Sequence, residues 1–457
     1  MTTVLRPLSS GRQSPRPPSR SRSKTSTFSR TSPVKHNGTT SLSATNKLPK
    51  LSEKKDANAP SELDFNRILN LFKHKHTREL YTRQAAMLAK IVRLRKDGLY
   101  VSEMPAVREI LVLSFEAAKL APGIQEIFAP GLSSLILLHS VPIRVRPTFV
   151  FKLKPFQMFT ELLDNLTIIA RESLLLGSEQ TALALSQLVT LFCTQTKTNI
   201  QGQMLSRLLC ETEIPARLAT WLIDRTDLLL NTELGLNVLK SLRDTSLIPA
   251  CVPIIFKNDF FESISPLLLS LEPQSERLSI CVDILWNLLY NPEAIKRFST
   301  EYNFNLLSDL LHNLMSQGFR TADKHLRNDV LCICCLLSQS EHSRMHFARS
   351  PLLRLLLSFS AHMDEKVDPS SRSTAPTCDF EMKKLIWAVV SALPPEPFCT
   401  AQIVQANFLQ SLFHYLELDP NQQHPSLAKW ATSQLLELQV NNITRITLIK
   451  AHVNWSL

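Results

Sequence analysis

Cys332, Cys334 and Cys335 stand close together in the run Val330-Leu331-Cys332-Ile333-Cys334-Cys335-Leu336-Leu337, the densest set of soft donors in the chain. Thiolates suit zinc or another thiophilic metal, which needs ligands converging on one tetrahedral point. On a helix, however, Cys334 and Cys335 point about 100° apart, so the three read as small apolar residues of a buried helix. His342 and His346 share a helical face at i, i+4, but no third ligand stands nearby, and they read as surface residues. His74 and His76, with Lys73 and Lys75, form a basic helix end that suits the negative pole of a helix dipole.

The remaining chemistry is conspicuous by its missing parts. Phosphate cradles need glycines where backbone amides approach the ligand, as in G-x-x-x-x-G-K-[ST] or G-x-G-x-x-G, and neither pattern occurs. The hydrolase signatures G-x-S-x-G and H-E-x-x-H are absent too. No catalytic, cofactor-binding or metal residue is assigned, and the chain is read as not an enzyme. Nine cysteines without framework spacing read as buried thiols of a reducing compartment. No stretch reaches the roughly 18 uncharged apolar residues of a membrane span, and the N-terminus has no apolar leader region. A soluble intracellular protein is expected.

Charge is the one concentrated feature. Residues 1–59 carry twelve Lys or Arg against Glu53 and Asp56, a net +10 out of the +11 of the whole chain. That Ser-, Thr- and Pro-rich segment has little to bury and is expected to be disordered. Arg12, Arg16, Arg20, Arg22, Lys24, Arg30 and Lys35 are its candidate electrostatic tether to an acidic filament surface or a nucleic acid. Ser14-Pro15 and Ser32-Pro33 make Ser14 and Ser32 candidate phosphorylation sites, where added negative charge would weaken that contact. With the tail accounted for, the body is nearly neutral, and any electrostatic function is expected to belong to the tail.

The elements behind these residues are helical. Glycine occurs only 9 times in 457 residues, where average usage would give roughly thirty, and sheet proteins need it in turns and bulges. Order is expected from Ser61, which with Asp64 resembles a capping box before the apolar stripe Phe65, Ile68, Leu69 and Phe72. A second helix is predicted from Thr77 to Lys96, stopped by Gly98, and a third from Pro105 to Leu120, ended by Pro122 and Gly123.

Further along, the chain repeats itself. Ile284-Leu285-Trp286-Asn287-Leu288-Leu289 is followed by the turn Asn291-Pro292-Glu293 and by an apolar helix through Leu306, Leu307, Leu310 and Leu311. The same order returns from Cys334 through Ser340-Glu341 to Leu352–Leu357, and again from Leu385 through Pro394-Pro395-Glu396 to Phe408, Leu409 and Leu412. Weaker echoes lie at 236–239 with 266–268, and at 188–192 with 214–218. The period, about 48 residues, is near that of armadillo and HEAT units, which bury their apolar faces only by stacking on neighbours. The fold class is therefore all-α, an armadillo/HEAT-like α-solenoid over residues 60–457 behind the disordered tail, with a polar loop inserted at 364–379. Terminal helices are predicted at 425–438 and 442–453.

Peptide-binding armadillo proteins hold an extended peptide with a ladder of tryptophans, each with an asparagine four residues on. Here the residue four after Trp286 is Tyr290, and four after Trp387 it is Ser391, so the ladder is not reproduced. Both tryptophans are read as core or interface residues.

At its first ordered segment the chain resembles the armadillo region of the cilia- and flagella-associated protein 69 family. The residues concerned are Leu63-Asp64-Phe65-Asn66-Arg67-Ile68-Leu69-Asn70-Leu71, then Lys96-Asp97-Gly98-Leu99, then Ala106-Val107-Arg108-Glu109-Ile110-Leu111, with a looser match to about residue 340. Family members are considerably longer. The resemblance implies a cytoplasmic structural component of motile cilia and flagella, in the central apparatus of the axoneme, supporting flagellar assembly and motility. Its implied partners are other axonemal proteins, with microtubules reached through the tail, and no cofactor, small-molecule substrate, membrane or nucleic acid. The short Arg-Ser tract at 16–24 motivates an alternative, a nuclear or RNA-linked armadillo adaptor.

Overall fold

In the computed structural model the chain divides into two units, 1–58 and 59–457, and the described residues fall in the second. They are 63–417 without 75–77, 155, 197, 226, 228–231, 258, 273–274, 317–320 and 362–375, together with 428–429 and 431–433. The tail and the predicted helix 442–453 thus lie outside the described residues, as do 364–375 of the expected insertion and all of the predicted helix 425–438 except 428–429 and 431–433, which are helical.

The described residues build helices in rows. One row runs α2 (Arg78–Leu94), α4 (Pro122–Leu138), α6 (Glu179–Gln195), α9 (Glu233–Ser246), α12 (Glu276–Leu288), α15 (Thr321–Gln339) and α18 (Pro376–Ala392), each packed on the next. A second row stacks beside it: α1 (Phe65–Lys73), α3 (Met104–Ala118), α5 (Gln157–Leu175), α8 (Ile214–Asp224), α11 (Phe260–Ser270), α14 (Glu301–Ser316), α17 (Leu352–Ala361) and α20 (Phe408–Glu417). Helix α7 (Asn199–Thr212) wedges against α5 and α8. From residue 252 onward a third row of short helices appears: α10 (Val252–Ile255), α13 (Pro292–Phe298), α16 (Glu341–Arg349) and α19 (Pro397–Gln405). Helix pairs thus give way to helix triplets, and the chain is an armadillo/HEAT-type α-solenoid. Each row turns its leucine, isoleucine and phenylalanine faces into one continuous apolar core, because no single helix buries its stripe without neighbours.

The three repeats read from the sequence map onto successive units. Trp286 lies in α12, the cysteines in α15 and Trp387 in α18, all in one row. Polar rungs keep register between units: Ser241 Oγ donates to Ser186 O (2.7 Å), Asn287 Nδ2 to Ser246 Oγ (2.9 Å) and Gln402 Nε2 to Ala348 O (2.8 Å). Aromatic contacts stitch the triplets, with Phe261 against Phe298 at 5.5 Å and Phe304 edge-on to Phe347 at 4.9 Å.

Several boundaries differ from expectation. Asp64, not Ser61, caps α1, its Oδ1 accepting from Asn66 N and Arg67 N, both at 3.1 Å. Pro122 and Gly123 do not end the third helix, which stops at Ala118; they form the first turn of α4, where proline lacks only an N–H that would be unpaired anyway. The expected insertion ends early, since α18 starts at Pro376. Gly98 does stop α2, at φ +111°, and donates its N–H to Arg95 O at 2.8 Å.

Four second-row helices are entered through a left-handed non-glycine residue: Phe156 before α5, Glu213 before α8, Asp259 before α11 and Asn407 before α20. Asn and Asp tolerate this region, whereas a residue such as glutamate is strained there. Glu213, exposed at φ 53°, is expected to become more favourable as glycine. Glu213→Gly should stabilise the solenoid by about 0.5–1 kcal/mol, read as a rise in the urea midpoint; a fall would show that its ion pair with Arg217 outweighs the strain.

Candidate interaction surface

The residues singled out for chemistry are mostly structural. Cys334 is fully buried, and Cys335 Sγ donates to Leu385 O of the next unit at 3.5 Å. Burial, with the neighbouring thiols, pushes the Cys334 and Cys335 thiols up, and burial alone pushes Cys281 up to about 12. Such thiols stay protonated and are poor nucleophiles and ligands. Among the described residues no group of three His, Cys, Asp or Glu side chains is placed to hold a metal. His342 is exposed as expected, whereas His346 is only partly exposed: its ring packs on Phe304 at 5.5 Å, and burial lowers its pKa. The row-to-row stacking of α14 and α16 covers part of it, which helical spacing alone could not show. Lys73 ends α1 and pairs with Glu109 of α3 at 2.7 Å; Lys75 and His76 lie outside the described residues.

Trp387 is a core residue, 1% exposed, with Lys383 Nζ 5.8 Å from its ring centre. Trp286 is half-buried and donates a hydrogen bond to Tyr290, which is exposed just beyond the end of α12. Asn287, next to Trp286, is committed to Ser246 of the preceding unit. The tether and phosphorylation candidates (Arg12, Arg16, Arg20, Arg22, Lys24, Arg30, Lys35, Ser14 and Ser32) lie outside the described residues.

A charged cluster that composition concealed sits at the N-terminal end of the solenoid. The segment after α4 runs back alongside the end of α2: Arg144 N donates to Leu99 O (2.8 Å) and Val101 N to Arg144 O (3.0 Å). Gly98 permits this approach, since a Cβ there would stand 2.2 Å from the Pro142 carbonyl oxygen. Three guanidiniums consequently surround one ring, with Arg95, Arg144 and Arg146 at 5.4, 5.0 and 4.9 Å from the centre of Tyr100. One buried carboxylate pairs with two of them. Glu103, buried in a short 3₁₀ turn, accepts from Arg95 Nε (2.8 Å), Arg95 Nη2 (2.6 Å), Arg146 Nη2 (3.0 Å) and Tyr100 N (3.2 Å). Arg144 is exposed and its guanidinium rests on the ring.

A near-neutral average hides a local concentration, because backbone pairing brings together cations far apart in sequence. The only sequence signal was the Arg144-Val145-Arg146 alternation beside Lys152 and Lys154.

Behind this cluster lies a buried polar chain. His139 Nδ1 lies 2.8 Å from Leu135 O, which can only accept, so Nδ1 carries the proton and Nε2 accepts from Asn165 Nδ2 (3.2 Å). Asn165 Oδ1 in turn accepts from Arg108 Nε (3.2 Å), and Arg108 pairs with Glu161 (2.5 Å) and Asp164 (2.9 Å) on α5. Burial, partly offset by hydrogen bonds to Leu135 and Ile136, lowers the His139 pKa to about 4. Two of the segments that carried the resemblance thus hold structural pivots, Gly98 and Arg108.

A family profile described as "Cilia- and flagella-associated protein 69, ARM repeat" matches residues 63–453. The curated proteins named Cilia- and flagella-associated protein 69 from Homo sapiens and Mus musculus are 23% identical over 398 residues and 22% identical over 400. Each comparison covers 85% of this chain and 41% of the relative, so the chain spans about two fifths of the relatives' length. Among solved structures, an engineered protein aligns over 82% of this chain and 98% of its own at 14% identity, with a TM-score of 0.39. That score is too low to carry weight for fold or function. The rows of stacked helices and a profile match over most of their length agree: the chain belongs to the cilia- and flagella-associated protein 69 family, through its ARM-repeat region.

Proposed function

We propose that this chain is a non-catalytic scaffold of motile cilia and flagella, a component of the axonemal central apparatus that supports flagellar assembly and motility. The observation that carries the reading is the family match over residues 63–453, laid on a solenoid whose stacked units offer an extended surface to partner proteins. Other axonemal proteins dock on that surface. The tail, through Arg12, Arg16, Arg20, Arg22, Lys24, Arg30 and Lys35, adds a salt-sensitive tether to the microtubule, weakened by phosphorylation at Ser14 and Ser32. Buried protonated thiols and the absence of phosphate-binding glycine patterns support the non-catalytic part of the reading.

Imaging the tagged chain in a motile ciliated cell tests it. Signal along the axoneme, with co-purification of tubulin and central-apparatus proteins, is the expected result; diffuse or purely nuclear signal would overturn it.

A further inference from the structure

The Tyr100 cluster has more cation than it neutralises. Segments 93–103 and 144–154, held together by the backbone pairing at Leu99, Val101 and Arg144, contain Arg93, Arg95, Lys96, Arg144, Arg146, Lys152 and Lys154 against only Asp97 and Glu103. Arg95 and Arg146 are bound to Glu103. Arg93, Lys96, Arg144, Lys152 and Lys154 are exposed. Interleaved with them along the chain stand two exposed apolar side chains, Val150 at 53% and Phe156 at 78%, the latter at the left-handed entry to α5.

We infer that this face is a docking site for an acidic polypeptide segment, one in which Asp or Glu residues alternate with apolar ones. The inference rests on the reading of the solenoid as a binding scaffold and names the chemistry of one partner. Three features select that occupant. Glu103 shows how a carboxylate is taken here, by the fork of Arg95 and a second donor from Arg146, the geometry in which guanidinium and carboxylate fit best. Arg144 is presented on the same ring with its guanidinium at the surface, pre-positioned by Tyr100 and therefore losing little freedom on binding. Finally, the ring of Tyr100 is already surrounded by three guanidiniums and offers no free platform for a nucleobase, which single-stranded nucleic acid would require. Val150 and Phe156 supply the apolar contacts between charges.

The test uses the purified 457-residue chain and separates this site from the basic tail. In a background with Arg12, Arg16, Arg20, Arg22, Lys24, Arg30 and Lys35 all changed to Gln, binding of a fluorescein-labelled Glu/Leu-alternating peptide is followed by anisotropy at physiological salt. Adding Arg144→Gln, Lys152→Gln and Lys154→Gln, all at exposed positions, should weaken binding by about tenfold, with circular dichroism unchanged. Arg144→Lys alone should weaken it measurably, since the charge stays but the fork is lost. Affinity unchanged by the triple substitution overturns the inference. So does tighter binding of phosphatidylserine vesicles or single-stranded RNA than of the peptide to the tail-neutralised chain. A chain that reaches the axoneme yet fails the peptide test overturns only this inference and leaves the scaffold reading standing.

Discussion

Glu103→Ala should destabilise the N-terminal end of the solenoid by about 3–5 kcal/mol, the usual consequence of removing one partner of a buried ion pair. Arg95 and Glu103 are 6% and 4% exposed at their side chains, so the guanidinium left behind has neither water nor carboxylate. Arg146 and the Tyr100 amide lose the same acceptor. Three like charges around one ring then lose the carboxylate set among them. The loss should appear as a lower urea midpoint and as faster amide exchange across residues 95–103, while the triplet end of the solenoid stays protected, because stacked units couple mainly to their neighbours. The double variant Arg95→Met/Glu103→Leu should recover much of the loss, since it removes the orphaned charge as well. A loss for Glu103→Ala below about 1 kcal/mol would mean that the pair behaves as a surface ion pair.

Acid should weaken the same region through His139. Its native pKa, about 4, lies below the ordinary imidazole value of 6.5, so the unfolded chain takes up a proton that the native state refuses. Stability is therefore fully present above roughly pH 6.5 and is lost as pH falls from there toward 4. The loss amounts to about 3 kcal/mol. The cause is burial, and the geometry agrees: Nδ1 already donates to Leu135 O and Nε2 needs its lone pair to accept from Asn165, so a second proton would break the link to Arg108. Arg108, at the end of this chain, is also held by Glu161 and Asp164, so the contribution of His139 is isolated by comparison with a variant. Urea midpoints of the native chain and of His139→Gln, measured from pH 8 to pH 4.5, should converge as pH falls. Parallel curves would show that His139 is not the group responsible.

How much of this was legible beforehand varies with distance along the chain. The entry of α1 is a local matter: Asp64 caps amides two and three residues away, and reading Ser61 in its place mistakes only the phase of a correct signal. Gly98 was legible as a helix stop because a left-handed residue is a local requirement. That it also makes room for the Pro142 carbonyl was not, because the oxygen arrives from the far side of α3 and α4. His342 and His346 have the same spacing signature and different fates, one exposed and one against Phe304, since which part of a helical face is covered depends on the neighbouring unit. Likewise Phe156 and Glu213 carry no sequence mark of their left-handed backbones; the geometry of entering the second row imposes them.

The sequence by itself determined what short-range periodicity can encode: an all-helical chain, the order of its elements, the recurrence of its units and the family to which they belong. Apolar residues at three- and four-residue spacing, scarce glycine and capping residues act within a turn or two of helix, so they are written locally. Only the tertiary structure decided the electrostatics. The pairing of 99–101 with 144 carries Arg144 and Arg146 to the ring of Tyr100, and the stacking of α3, α4 and α5 buries His139 against Asn165. A charge interacts with whatever the fold brings within a few ångströms, whatever its distance along the chain, and for that reason a nearly neutral solenoid carries a concentrated basic face that its composition averaged away.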